Sequence, residues 1–148
     1  MKKLLLTMLC VRNSRPSFDI AMLFFRTAIS IEIIIVHGFK KLGIGVAVAE
    51  QIPNPLSLPE TFNTVFALGA NLFFPVLIIF GFLTRIMVLP VLAVTLTGYF
   101  ILHRNDPGLV KDIPFMYSTA YLLIMVLGPG KYSLDFLIRK QLLSHIQS

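Results

Sequence analysis

The sequence predicts an all-α integral membrane protein, a bundle of four spanning helices followed by a C-terminal amphipathic surface helix. Hydrophobic residues make up 56% of the 148-residue chain and charged residues only 14%, against about 25% charged residues in soluble proteins. Four apolar stretches, at 20–39, 62–82, 86–102 and 114–127, contain hardly any charges. A bilayer core requires roughly 20 apolar residues per helix, a length that the first two stretches reach and the third nearly reaches.

The helices are predicted at about 18–39, 62–83, 85–103 and 114–128, and with their loops they occupy the whole chain as a single membrane domain, 1–148. Asp19 is a candidate N-cap for the first helix and Thr84 for the third, because short polar side chains satisfy the free backbone N–H groups there. Pro114 is expected to begin the fourth helix, since proline is favoured in the first turn. A fourth helix of that length would cover only about 21 Å, less than the hydrocarbon core.

The last helix is predicted at 133–146, after the Gly-Pro-Gly break at 128–130. Ser133 is its candidate cap. Leucine and isoleucine recur at helical spacing along it, with Arg139 and Lys140 between them. This pattern is typical of a helix that lies on a membrane surface with its cations near anionic head groups.

Cations are distributed unevenly between the two sides of the predicted bundle. The N-terminal tail, the second loop and the C-terminal tail hold eight Lys and Arg residues, and the first and third loops hold four. Because Lys and Arg collect on the cytoplasmic side of membrane proteins, both termini are predicted to be cytoplasmic, with loops 40–61 and 103–113 outside. The same rule accounts for the net charge of +6, so the bilayer, and no nucleic acid, is the expected partner.

Several polar residues fall within the predicted spans. At 1.5 Å per residue, those of all four helices lie at a similar depth in the half of the bundle nearer loop 40–61, so they are predicted to converge on one ligand site. The alternative is that these polar side chains form hydrogen bonds between helices and bind no ligand. No metal-ligand spacing is present. The candidate ligand-binding residues are Glu32, His37, Asn71, Tyr99, His103, Tyr117 and Tyr121, and no catalytic residue is assigned.

Two charges interrupt the first span. A carboxylate at the depth of Glu32 costs about 2.5–3.5 kcal/mol, so Glu32 is expected to be paired, protonated or in contact with water. Arg26 lies nearer the cytoplasmic end, where its long side chain is expected to extend to the membrane surface.

Four segments resemble elements of DoxX-like membrane proteins. Residues 37–42 (HGFKKL) resemble the family's His-Gly-x-x-Lys-Leu element, and the proline-rich stretch 53–58 is similar to its outer loop. Residues 81–85 (GFLTR) resemble its Gly-Leu-x-Thr-Arg turn, and 128–135 (GPGKYSLD) its closing Gly-Pro-Gly-Lys-x-Ser-Leu-Asp. The resemblance implies a four-helix protein of the bacterial or archaeal cytoplasmic membrane. Some members of the family are the membrane subunit of thiosulfate:quinone oxidoreductase, and others belong to oxidative-stress complexes.

The chain departs from this family pattern at the level of the predicted site. Family members commonly have a glutamate and a glycine pair in helix two, where this chain has Asn71, Phe74 and Pro75. They often have Glu-Tyr at the start of helix four, where residues 116–117 are Met-Tyr. We hypothesise that Glu32 restores a carboxylate from a different helix.

Two functions follow from these observations and stay open at this point. The favoured one is an accessory subunit of a larger, redox-related membrane complex, with a quinone- or lipid-binding pocket in the outer half of the bundle and other membrane subunits as partners. The alternative is the catalytic membrane subunit of a quinone-linked oxidoreductase of the thiosulfate:quinone type, which would need an external electron donor. Whether the chain is an enzyme and whether it forms homo-oligomers are not decided by its sequence.

Overall fold

Apolar segments of spanning length form the helices of this protein. The structure is a computed structural model that describes residues 16–147. No strand occurs among these residues, and four helices are long and apolar enough to cross a membrane, so the predicted fold class is confirmed. The helices are α1 (Pro16–Phe39), α2 (Glu60–Phe80), α3 (Thr84–Leu102), α4 (Gly108–Leu127) and α5 (Leu134–Gln147).

Helices α1 to α4 form an antiparallel bundle with two distinct ends. The segment 40–59 and the 103–107 connection lie at one end, which we call the loop end. The 81–83 turn and the 128–133 segment lie at the other, the terminal end. Each of these four helices contributes at least one fully buried apolar residue to the core. Examples are Ile33, Ile78, Val91 and Ile124.

Three of the spanning helices contain a π-helical turn, at Ile34–Phe39 in α1, Gly69–Phe73 in α2 and Gly98–Leu102 in α3. In α2 the π-helical turn lies just before Pro75, which has no backbone N–H to continue the regular hydrogen-bond pattern. A π-helical turn changes the direction of the side chains that follow it, and such turns are frequent at functional sites.

Helix α4 is longer than predicted. It begins at Gly108 and not at Pro114, so the predicted start is wrong. Pro114 lies inside the helix, in its second turn, where it has no N–H to donate to the carbonyl four residues earlier. Ser118 Oγ donates a hydrogen bond to the Pro114 carbonyl at 2.7 Å. With 20 residues, α4 has the length to span the hydrocarbon without beginning below the surface.

The Arg26 side chain is buried, with 1% of its surface exposed. Its Nη1 donates a hydrogen bond to the Pro129 carbonyl at 3.1 Å, and its Nη2 donates one to the Tyr132 carbonyl. The interpretation that Arg26 extends to the membrane surface is therefore wrong. The guanidinium instead joins α1 to the segment that follows α4.

At the terminal end, two carboxylates accept hydrogen bonds from backbone N–H groups of segments distant in the chain. Asp19 lies inside α1, which begins at Pro16, and its Oδ1 accepts a hydrogen bond from the Lys131 backbone N–H at 3.0 Å. The start of α3 is capped by Asp135, whose carboxylate accepts from the N–H groups of Leu83 at 2.6 Å and Thr84 at 3.0 Å. Both predicted caps are wrong: Asp19 lies inside α1, and the N–H groups at the start of α3 are bound by Asp135 and not by Thr84.

Helix α5 begins as predicted. Ser133 Oγ accepts a hydrogen bond from the Phe136 N–H at 3.2 Å, so the predicted cap is confirmed. Leu134 and Leu137 are exposed on this helix. Its location on a membrane surface stays a prediction.

Replacement of Asp135 by alanine is expected to lower the free energy of unfolding by about 1–2 kcal/mol, because two N–H groups at the start of α3 lose their acceptor. Asp135→Asn keeps one acceptor oxygen and is expected to lose less. Thermal unfolding in mild detergent measures the effect. Asp112→Ala, at an exposed carboxylate of α4, is the control, and equal stability of the two alanine variants would contradict the capping role.

Candidate functional site

The first third of α2 diverges from the rest of the bundle. Residues Glu60–Leu68 pack only sparsely against the other spanning helices, whereas the part of α2 beyond the π-helical turn packs closely against α1 and α3. The bend therefore opens a space at the loop end. A cavity of about 510 Å³ fills it, with walls from all four spanning helices and a cover from the 50–58 segment.

The walls of this cavity are mainly apolar. Residues 50–59 form no helix and place six side chains against the cavity as its cover. The Phe62 and Phe66 rings of α2 stack on each other with centroids 5.9 Å apart, and both line the cavity. The main apolar lining residues are Ile33, Leu58, Phe62, Phe66, Ala67 and Leu102.

Four of the seven predicted ligand-binding residues line the cavity: His37, Asn71, His103 and Tyr117. The His37 and Tyr117 rings meet edge to face, with centroids 5.2 Å apart. Within residues 16–147, His37 Nε2 has no hydrogen-bond partner. Asn71 Nδ2 donates to the Ala67 carbonyl at 2.8 Å. These groups give the cavity hydrogen-bonding capacity on three of its walls.

The other three predicted residues do not line the cavity. Glu32 is exposed on the outer surface of α1. The Tyr99 ring packs against Phe100 and Phe115, with centroids 4.9 Å and 5.8 Å away. Tyr121 is buried deeper in the bundle, where its hydroxyl donates to Ser30 Oγ at 3.4 Å.

A charged pair at the mouth of the cavity was not predicted. Lys41 Nζ lies 3.8 Å from the Glu50 carboxylate and donates a hydrogen bond to the His37 carbonyl at 3.3 Å. Burial lowers the pKa of Lys41, and the negative charge of Glu50 opposes that shift. Lys41 is part of the HGFKKL segment, so the motif was the available signal for this position. The pair connects the end of α1 to the cover.

Gly38 allows α1 and α2 to approach closely beside the cavity. A Cβ atom at this position would lie 2.8 Å from the Asn71 carbonyl oxygen and would overlap the Leu72 side chain. The Asn71 carbonyl is the one that a residue with an N–H at position 75 would bind in a regular helix, and Pro75 has none. The glycine, the π-helical turn and the proline together shape this wall.

Metal-binding side chains are not grouped in this part of the protein. Among residues 16–147, no three His, Cys, Asp or Glu side chains lie close enough together to hold a metal ion.

The DoxX family model matches residues 21–104, from α1 to the end of α3. An uncharacterized protein of Haemophilus influenzae is 34% identical over 98 residues, which are 63% of this chain and 65% of the relative. Inner membrane protein YqjF of Escherichia coli is 40% identical over 68 residues, 43% of this chain and 52% of the relative. The matches thus span between half and two thirds of these relatives' lengths. No solved structure matches the chain.

Proposed function

Since this chain belongs to the DoxX family of membrane proteins, we propose that it is an accessory subunit of a membrane redox complex and that it binds a quinone in the cavity at its loop end. The observation that carries this proposal is the cavity itself, an apolar space between membrane-spanning helices with a few hydrogen-bonding groups.

The cavity suits a lipid-soluble ring molecule in both size and chemistry. Its volume of about 510 Å³ falls in the range of about 300–1,000 Å³ that is usual for small-molecule sites. The apolar walls favour a ring and tail over a charged substrate. Because Glu60–Leu68 packs sparsely against the other spanning helices, we propose that a molecule dissolved in the bilayer enters beside this segment, past Phe62 and Phe66.

The polar groups of the cavity are suited to holding the two carbonyl oxygens of a quinone. The Tyr117 hydroxyl, the His37 imidazole and the Asn71 amide can donate hydrogen bonds, and they come from three different helices. A bound quinone supplies the redox chemistry, while the side chains orient the ring and keep water away.

The accessory role follows from what these side chains can contribute. His37 and Tyr117 can hold or transfer a proton, but reduction of a quinone also needs an electron donor, which another subunit would supply. The alternative, a catalytic quinone-linked subunit, is favoured by the direct contact between the His37 and Tyr117 rings. Turnover by the purified protein with only a soluble donor and a quinone would support this alternative over the accessory role.

The proposed location is the bacterial inner membrane, in line with the name of the Escherichia coli relative, inner membrane protein YqjF. We place both termini in the cytoplasm, because the terminal end and the tails carry most of the cations. The cavity would then open in the outer half of the membrane.

A cavity-filling substitution tests the proposed ligand. Ala67 lines the cavity and is 7% exposed, so Ala67→Phe places a ring inside it. Val65→Phe is the matched control, because Val65 is on the same helix and is 66% exposed. We expect the Ala67 variant to retain at least about tenfold less quinone, whereas the control retains as much as the wild type.

The measurement is mass spectrometry of small molecules extracted from protein purified in nanodiscs from its native membrane, per mole of protein. Equal quinone content in the two variants would contradict binding in the cavity. Phospholipid without quinone in the wild-type extract would contradict the quinone assignment and favour a lipid site.

A further inference from the structure

Glu32 is an ionisable residue on the exposed surface of a membrane-spanning helix. It lies about 10 Å from the loop end of α1, at 1.5 Å per residue. Among residues 16–147, no hydrogen-bond donor or cation pairs with its carboxylate. Ionisable groups within the hydrocarbon are costly and are almost always paired or in contact with water. The described residues therefore supply no ion-pair partner for this carboxylate.

The residues around Glu32 form a surface on which another helix can pack. Ala21, Ala28 and Glu32 are separated by seven and four residues, so they lie on one face of α1, and all three are exposed. Phe24 shares this face between the two alanines and is 74% exposed. Small residues allow two membrane helices to approach closely, and a polar group between them adds a specific bond. The face adjoins α4, because Glu32 is close enough to Tyr117 to interact with it electrostatically.

A second copy of this chain does not supply the missing charge. The spanning helices themselves, all within the described residues, contain three Lys or Arg side chains. Arg26 is buried and bound to Pro129 and Tyr132, Arg85 lies at the terminal end, and Lys111 lies near the loop end with its Nζ bonded to the Arg104 carbonyl. In a symmetric dimer with both copies in the same membrane orientation, the remaining cations near this depth lie beyond the end of α1: Lys40 is about 12 Å from Glu32 along the helix, and Lys41 is paired with Glu50. Charge complementarity thus points to a different protein.

We propose that the α1 face formed by Ala21, Ala28 and Glu32, which we call the Glu32 face, binds a membrane-spanning helix of a partner subunit. A lysine or arginine of that helix pairs with the Glu32 carboxylate, and each charge removes the cost of burying the other in the membrane. This inference rests on the proposed accessory role and adds the surface and the chemistry by which the subunit docks.

Site-specific photo-crosslinking in the native membrane tests the Glu32 face. A benzophenone amino acid is placed at Ala28, on the face, and in a separate variant at Val76, an exposed position on α2. Mass spectrometry identifies the attached peptide. We expect the Ala28 probe to attach to a spanning segment of another protein that contains Lys or Arg, and the Val76 probe not to do so. Attachment to lipid alone, to this chain, or to a segment without a cation would overturn the proposal.

Charge substitutions test the ion pair in the same system. Glu32→Gln is expected to lower the crosslink yield from Ala28 about tenfold, and Glu32→Lys to abolish it. Exchange of the partner's cation for glutamate should restore crosslinking to the Glu32→Lys variant. An unchanged yield with Glu32→Lys would overturn the pairing.

The quinone content of the same preparations separates this inference from the proposed ligand. Glu32 does not line the cavity, so its variants are expected to keep their quinone while the crosslink is lost. Ala67→Phe should lose quinone and keep the crosslink. A crosslink to a cation-bearing helix in a protein without quinone would contradict only the ligand proposal.

Discussion

Replacement of Arg26 by methionine is expected to lower the free energy of unfolding by about 3–5 kcal/mol, because two hydrogen bonds from a charged group are lost and their carbonyl acceptors are left unpaired. The guanidinium binds Pro129 and Tyr132 in a buried position, and methionine has similar length but no donor. Arg26→Lys keeps the charge but not the planar pair of donors, so it is expected to recover only part of the loss.

Unfolding by increasing SDS in mixed micelles measures this effect. Lys140→Met removes an exposed cation of α5 and is expected to change stability by less than about 0.5 kcal/mol. If Arg26→Met unfolds at the same SDS fraction as this control, the two hydrogen bonds contribute nothing to stability and our interpretation of the terminal end is wrong.

Gly38→Ala is expected to destabilise the protein by about 1–3 kcal/mol through overpacking, although glycine to alanine inside a helix usually stabilises by roughly 0.5–1 kcal/mol. The new Cβ would meet the Asn71 carbonyl oxygen at 2.8 Å, and backbone cannot move away as a side chain can. Helices α1 and α2 would have to separate, which also deforms the cavity.

The matched control is Gly98→Ala, in the π-helical turn of α3. Its Cβ would lie 3.6 Å from the Pro114 Cβ, an ordinary contact, so this variant is expected to be neutral or slightly stabilised. The two variants are compared by thermal unfolding in nanodiscs. A Gly38 variant as stable as the Gly98 variant would show that the close approach of α1 and α2 is not needed.

The spanning helices and the cover were predictable because each depends on local composition. Apolar runs of bilayer length can form only helices or closed barrels in a membrane, and the prolines at 53, 55 and 59 exclude a helix from the cover. The role of Arg26 was not predictable in this way. Its acceptors are main-chain carbonyls 103 and 106 residues away, and no side-chain pattern marks them.

Residue counting predicted how deep the candidate site residues lie in the bundle, but not the directions in which their side chains point. Counting residues placed His37 near the rim and Asn71 and Tyr117 deeper in the same half of the bundle, and all three line the cavity. The same count included Glu32, which points outward. His37 lies inside the π-helical turn at Ile34–Phe39, whereas Glu32 precedes it, and the turn changes the angle between their side chains. An angular estimate based on a regular α-helix therefore does not extend across this turn.

The Arg26 contacts also constrain the order of events during the synthesis of this protein. A chain is made from its N-terminus, so α1 enters the membrane while residues 129 and 132 have yet to be synthesised. Until the segment after α4 arrives, the guanidinium must bind water, lipid phosphate or the insertion machinery, since its final acceptors do not yet exist. These two hydrogen bonds can therefore form only after residue 132 has been synthesised.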